Sequence, residues 1–187
     1  MNKEEIAVTM RDLDIQDFII HDDGTVDVAT SVDIGFLNLK RLPVVFGRIR
    51  GDFNCSNNQL ESLEGAPRSV GLSFFCHNNH LASLAHAPLE VGKSFVCKAN
   101  RLKNLEGVPL QINGSFDCSE NQIATLVGGP EAVNGDFDCS HNCLNTLDGM
   151  PHHVRGALYC QGNPIPGATL ARFKALARFV ILAGDEA

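Results

Sequence analysis

Gly51 to Val70 reads GDFNCSNNQLESLEGAPRSV, and the chain repeats that unit along most of its length. Cys55, Cys76, Cys97, Cys118, Cys139 and Cys160 follow one another at an unbroken spacing of 21 residues. Phe53, Phe74, Phe95, Phe116, Phe137 and Leu158 stand two positions before them. Asn58, Asn79, Asn100, Asn121, Asn142 and Asn163 stand three positions after. Leucine or isoleucine columns follow, then a proline and a β-branched residue, Pro67 and Val70 in this unit. A fixed period of that length, with each column keeping its chemistry, specifies a solenoid whose coils bury a core only by stacking on one another.

In the unit Phe116-Asp117-Cys118-Ser119-Glu120-Asn121-Gln122-Ile123 the columns resemble the leucine-rich repeat, L-x-x-L-x-L-x-x-N-x-L, with Phe and Cys as the middle apolar pair. The resemblance covers residues 30–166. It is similar to the short proline-containing repeat of bacterial effector proteins, and more so to a phage and prophage type with units like GDFDCSxNxLxSLEGAPxxV. It implies an α/β-type repeat solenoid with a parallel β-sheet on its concave face. A unit of 21 residues leaves no room for a long convex helix, so the Gly-Ala-Pro segments are expected to run extended. The resemblance implies a fold and a bacterial or phage provenance, but no activity.

Both ends depart from the repeat, as end coils must to cover their apolar interior. Ile6, Met10 and Leu13 recur at helical spacing behind Asn2 and Glu4-Glu5, which predicts a short capped helix. Phe18-Ile19-Ile20 and Thr25-Val26-Asp27-Val28 flank Asp23-Gly24, a hairpin signature. Residues 1–29 are therefore assigned to an N-terminal cap. Residues 30–166 form about six and a half coils, the first one degenerate, with Val32, Ile34, Leu39 and Leu42 in the core columns and Leu37 in the Asn column. Pro164 and Pro166 end the pattern. A helix capped by Thr169 is predicted through about Leu182, with Leu170, Phe173, Leu176, Ala177 and Val180 on its apolar face, making 167–187 a C-terminal cap.

Composition excludes several classes of function. With 22 acidic and 15 basic residues the net charge is -7, which opposes general nucleic-acid binding. No run approaches the ~20 apolar residues of a membrane span, and MNKEEIAVTM lacks the apolar core of a secretion signal, so a cytoplasmic protein is expected. Strands stacked about 4.8 Å apart would bring successive cysteines within disulfide range, but equivalent side chains point the same way. Six thiols in a leucine-type column read as small buried hydrophobes in a reducing compartment, and a line of ligands does not make a metal tetrahedron. The Asn ladder reads as structural, satisfying backbone groups at each bend.

Function is expected on the outward strand positions. The central column reads Asn54, Phe75, Val96, Asp117, Asp138, Tyr159. One flank reads Asp52, Ser73, Ser94, Ser115, Asp136, Ala157, and the other Ser56, His77, Lys98, Ser119, Ser140, Gln161. Phe75 beside Val96 predicts an exposed apolar pair bordered by His77 and Lys98, with an acidic zone of Asp117, Asp136 and Asp138 and then Tyr159. Adjacent exposed apolar residues point to a contact site.

Chemistry is less well served. His77 with His80, and His141 with Cys143, fall short of three converging metal ligands, and His152-His153 is expected in a solvated loop. Cys143 beside His141 has no orienting third group, and carboxylates on a shallow wet sheet suit contacts better than acid–base work. The expectation is a non-enzymatic, cofactor-free protein-binding module, monomeric, directed at a bacterial host or defence factor. A small effector enzyme and a self-associating virion or assembly component are the alternatives.

Overall fold

The computed structural model describes residues 1–176 and 181–182. It is a parallel-strand solenoid with a helix near each end. The Phe-x-Cys segments supply one ladder of eight short strands, running from Val32–Asp33 through Phe53–Asn54, Phe74–Phe75, Phe95–Val96, Phe116–Asp117, Phe137–Asp138 and Leu158–Tyr159 to Ile181–Leu182. Each column stays in register, Phe53 against Phe74 and Phe74 against Phe95. The phenylalanine rings consequently touch in an unbroken spine from Phe46 to Phe137, with centroids 5.0–5.9 Å apart. Phe53, Phe74, Phe95, Phe116 and Phe137 are fully buried, each worth about 2–3 kcal/mol of hydrophobic transfer.

The proline-containing segments are extended, as expected, but they do more than cross the coil. Their Val or Ile columns pair into a second parallel ladder, starting with Phe46–Ile49 and Ser69–Val70. This ladder is in two parts among the described residues. The N-terminal part ends at Glu90–Val91, and the C-terminal part comprises Gln111–Ile112, Ala132–Val133 and His153–Val154.

The coils turn through left-handed backbone at two columns, the second of them absent from the first coil, where Val44 stands. The first is Phe36, Asn57, Asn78, Ala99, Glu120, His141 and Gly162, with φ between 51° and 69°. The second is Gly65, His86, Gly107, Gly128 and Gly149. Glycine dominates the second column because a Cβ there is strained in this region.

Asn58, Asn79, Asn100, Asn121, Asn142 and Asn163 do more than complete their own bends. Asn79 donates from Nδ2 to the Cys76 carbonyl of its own coil (3.1 Å) and to the Cys55 carbonyl of the preceding one (3.0 Å), while its Oδ1 accepts from the Leu60 N–H (2.9 Å). Each asparagine is therefore a staple to the coil before it. Leu37 stands in this column where no repeat coil precedes, so no staple is required. Its side chain turns out to solvent, and Asn58 Oδ1 accepts from the backbone N–H groups of Leu37 and Leu39. Val32, Ile34 and Leu42 of this first coil are buried as expected, and Leu39 is partly buried.

At the N-terminus α1 spans Lys3–Asp12 with a complete capping box, Asn2 Oδ1 accepting from the Glu5 N–H and Glu5 Oε2 from the Asn2 N–H. Ile6 and Met10 are buried in the common core. The antiparallel hairpin Phe18–Ile20 with Val26–Val28 turns at Gly24 and joins the second ladder, Val26 pairing with Phe46.

At the other end the expectation fails in part. The helix α2 covers Gly167–Leu176, so Thr169 lies inside its first turn instead of capping it. Ile181–Leu182 is no longer helix but a strand parallel to Leu158–Tyr159. The last coil offers an unpaired strand edge, and the chain returns to fill it. Ala177 and Val180 of the expected apolar face lie outside the described residues.

Candidate functional site

The central column of the Phe ladder places Asn54, Phe75, Val96, Asp117, Asp138 and Tyr159 side by side in register. Its surroundings differ from the expectation on three counts.

Phe75 and Val96 are half-buried, not fully exposed. Adjacent strands lie so close that neighbouring side chains in a column cover one another. His77 stands edge-on to Phe75, with centroids 6.3 Å apart, and is also half-buried, like Lys98 and Tyr159.

The flank Asp52, Ser73, Ser94, Ser115, Asp136 does not vary freely, because it is a second stapling column. Ser31 Oγ accepts from the Asp52 N–H, Asp52 Oδ1 from the Ser73 N–H (2.8 Å), and Ser94 Oγ from the Ser115 N–H (3.1 Å). Ser115 Oγ accepts from the Asp136 N–H, and Asp136 Oδ1 from the Ala157 N–H (2.8 Å). Ala157 has no such acceptor, and the column stops there. Its restricted composition was the available signal, since only short oxygen-bearing side chains occupy it before Ala157.

On the other flank Ser56, Ser119 and Ser140 are buried, not outward. Asn54 Oδ1 accepts from both the N–H and the hydroxyl of Ser56 (3.0 and 2.6 Å), and Asp117 Oδ1 does the same for Ser119 (3.1 and 2.6 Å). Asp138 Oδ1 accepts from the Ser140 N–H at 2.9 Å. From Asn54 onward, wherever the centre is Asn or Asp a serine follows two residues on, and in the first coil Asp33 Oδ1 accepts instead from the Gly35 N–H. The pairs Phe75–His77, Val96–Lys98 and Tyr159–Gln161 stand apart from this rule.

Those exceptional coils are also where polar groups go unmatched. Among the described residues, His77 Nδ1 and Gln161 Oε1 are the buried side-chain polar atoms without a hydrogen-bond partner. Burial first, and then the charge of Lys98, push the His77 imidazole below its ordinary 6.5, with Asp117 pulling weakly the other way.

The cysteines behave as core. Burial raises the Cys55 thiol to about 12 and pushes Cys76, Cys97, Cys118 and Cys139 well above their ordinary value, so they stay protonated and unreactive. Cys143 is the exposed one. Among the described residues no group of three His, Cys, Asp or Glu side chains is arranged to hold a metal ion, and no helix is long and apolar enough to cross a membrane. His153 lies on a strand of the second ladder, exposed, not in a loop.

The most exposed large apolar side chains lie away from the Phe75 site. Phe36 is 76% exposed at the first coil, and Leu89 and Leu110 flank the break in the second ladder. No family model matches the chain, and no curated protein matches it either.

Proposed function

We propose that this solenoid is a non-enzymatic protein-binding module of the short leucine-rich-repeat type, closed by residues 1–29 and 167–187 and gripping its partner through the Phe ladder. The observation that carries this reading is the interruption of a self-satisfied surface. In the coils of Asn54, Asp117 and Asp138 the central residue is bonded to its own serine. In the two adjacent coils between them, an in-register apolar pair, Phe75 and Val96, is bordered by His77 and Lys98. Phe75, Val96 and Tyr159 are the anchors, since aromatic side chains commonly anchor a protein contact and adjacent apolar residues extend the patch around them. His77, Lys98, Asp117 and Asp138 set register and charge complementarity around them. The likeness of the repeats to phage and prophage sequences directs the search for a partner toward bacterial host and defence factors.

The test is affinity capture from bacterial lysate by the wild type beside a Phe75→Glu/Val96→Glu variant whose fold is verified by circular dichroism. A protein retained by the wild type and lost by the folded variant supports the reading. Equal retention, or no retained protein, refutes it. Size-exclusion chromatography of Phe75→Glu separates a heterologous contact from self-association, because only the latter changes elution of the isolated protein.

A further inference from the structure

The surface around the break in the second ladder has its own chemistry. Leu89 and Leu110, each following its coil's proline, are 65% and 64% exposed there. The same column carries Arg68, Glu131 and His152 in other coils, so two exposed leucines in succession are particular to this place. One open groove runs from Arg48 and Arg50 past Glu90 to Leu89 and Leu110, and it is continuous with a second that reaches Arg68. All three arginines are exposed, and none forms an ion pair among the described residues. Three exposed guanidiniums beside two exposed leucines stand out in a chain of net charge -7, with Arg48 already acting on the Asp27 carboxylate that lines the second groove.

We propose that this groove docks an extended acidic segment of a partner protein, its carboxylates on Arg48, Arg50 and Arg68 and its apolar side chains on Leu89 and Leu110. Charge complementarity selects the occupant, since guanidinium groups hold carboxylates through paired, charge-assisted hydrogen bonds. The groove crosses the strands from Arg48 to the edge at Glu90–Val91, so its occupant lies across them in extended form.

Register sets the spacing of the recognised residues. Arg48 pairs with Ser69 and Ser69 with Glu90, so Arg48 lies two strands from the strand of Glu90 beside Leu89, about 10 Å at ordinary strand spacing, while Arg68 stands in Leu89's own column one coil away. An extended peptide covers that distance in about three residues. Glu90 sits between the two zones and disfavours a carboxylate there. The recognised pattern is thus an acidic residue, a short non-acidic step, and an apolar residue. This surface is separate from the Phe75 site and stands or falls independently of it.

The experiment selects peptides from a displayed random library on the immobilised full chain. Enriched peptides are then titrated, with a fluorescent label, against wild type, Arg48→Glu/Arg50→Glu, Leu89→Ser/Leu110→Ser and Phe75→Glu/Val96→Glu. Circular dichroism verifies the fold of each variant. The expected result is enrichment of acidic sequences with interspersed apolar residues. Affinity should fall at least about tenfold in both groove variants and stay unchanged in the Phe75→Glu/Val96→Glu variant. Absence of enrichment, enrichment of neutral or basic peptides, or undiminished affinity for either groove variant overturns the proposal. So does loss of binding in the Phe75→Glu/Val96→Glu variant, which would place the peptide on the other ladder.

Discussion

The two ladders belong to the same coils and repeat with the same period, yet the Phe ladder is continuous over eight strands while the second parts between Glu90–Val91 and Gln111–Ile112. At that same junction the Phe ladder is bonded by side chains as well as backbone. Asn100 Oδ1 accepts from the Leu81 N–H (3.0 Å), Asn100 Nδ2 donates to the Cys76 carbonyl (3.1 Å), and Ser94 Oγ accepts from the Ser115 N–H (3.1 Å). Among the described residues the second ladder has no repeated column of that kind. A stack of two-residue strands has few backbone bonds per coil, and side-chain acceptors placed once per period make one face cohere. The other face lacks them, and its break lies beside Leu89 and Leu110 in a column that is exposed in every coil from Arg68 to His152.

The sharpest way to break this comparison is to remove a staple. Asn100→Ala strands the buried N–H of Leu81, while the carbonyls of Cys76, Cys97 and Lys98 each lose one donor and keep another, Asn79 Nδ2, Asn121 Nδ2 and the Asn78 N–H. At about 1–3 kcal/mol for an unsatisfied buried group, the expected loss in urea unfolding is about 2 kcal/mol. Leu110→Ser at the break should stay within about 0.5 kcal/mol of wild type. Equal costs would remove the distinction between the ladders.

A second measurement uses the thiols under the Phe ladder. Their folded pKa values are raised, so the folded state keeps protons that the unfolded chain releases. The stabilisation is complete below the ordinary thiol value of 9.0 and is lost as pH rises toward about 12, the folded value of Cys55. Urea midpoints should therefore fall steadily above pH 9.0. A thiol reagent at neutral pH should label Cys143 in the native protein and the ladder cysteines only after unfolding. Fast native labelling of Cys97 or Cys118 would show that the Phe ladder opens as readily as the second.

A smaller effect tests the corners that join the ladders. Ala99 and His86 hold left-handed backbone at φ 51° and 67°. Ala99→Gly or His86→Gly should raise stability by about 1 kcal/mol in the same denaturation assay, because the Cβ strain disappears. No gain would mean that neighbouring coils relieve the strain.

The smallest effect lies at the candidate site. His77 should titrate below 6.5 by NMR, and Lys98→Ala should move it upward by removing a repelling charge. Since the folded state binds this proton less readily than the unfolded one, the associated stability is present above 6.5 and declines as pH falls through the folded value. His77→Gln should flatten that decline. A midpoint at 6.5 would mean that the ring is hydrated, and one above 6.5 that Asp117 outweighs burial and Lys98.

Much of this molecule was legible because a period repeated six times averages away local ambiguity. The Cys, Phe and Asn columns, the degenerate coil at Val32 and Ile34, the Asn2 cap and the Gly24 hairpin all follow from spacing and residue type. The reading of the face was weaker. Outward positions along a strand follow from alternation, so Ser56, Ser119 and Ser140 were assigned to solvent, but each strand is only two residues long and the alternation ends before it reaches them. Phe75 and Val96 were placed correctly in the column and wrongly in exposure, since cover comes from neighbours 21 residues away.

The sequence by itself determined that the chain coils, where each coil begins, and which side chains fill its interior, because burying apolar surface at a fixed period admits one register. Only the tertiary structure decided what passes between coils. The staple from Asn79 to Cys55, the Ser and Asp column, the return of Ile181–Leu182 to the last edge and the break beside Leu89 all join groups that lie far apart in the chain. Their partners are chosen by stacking geometry, and no single repeat contains both halves of the bond.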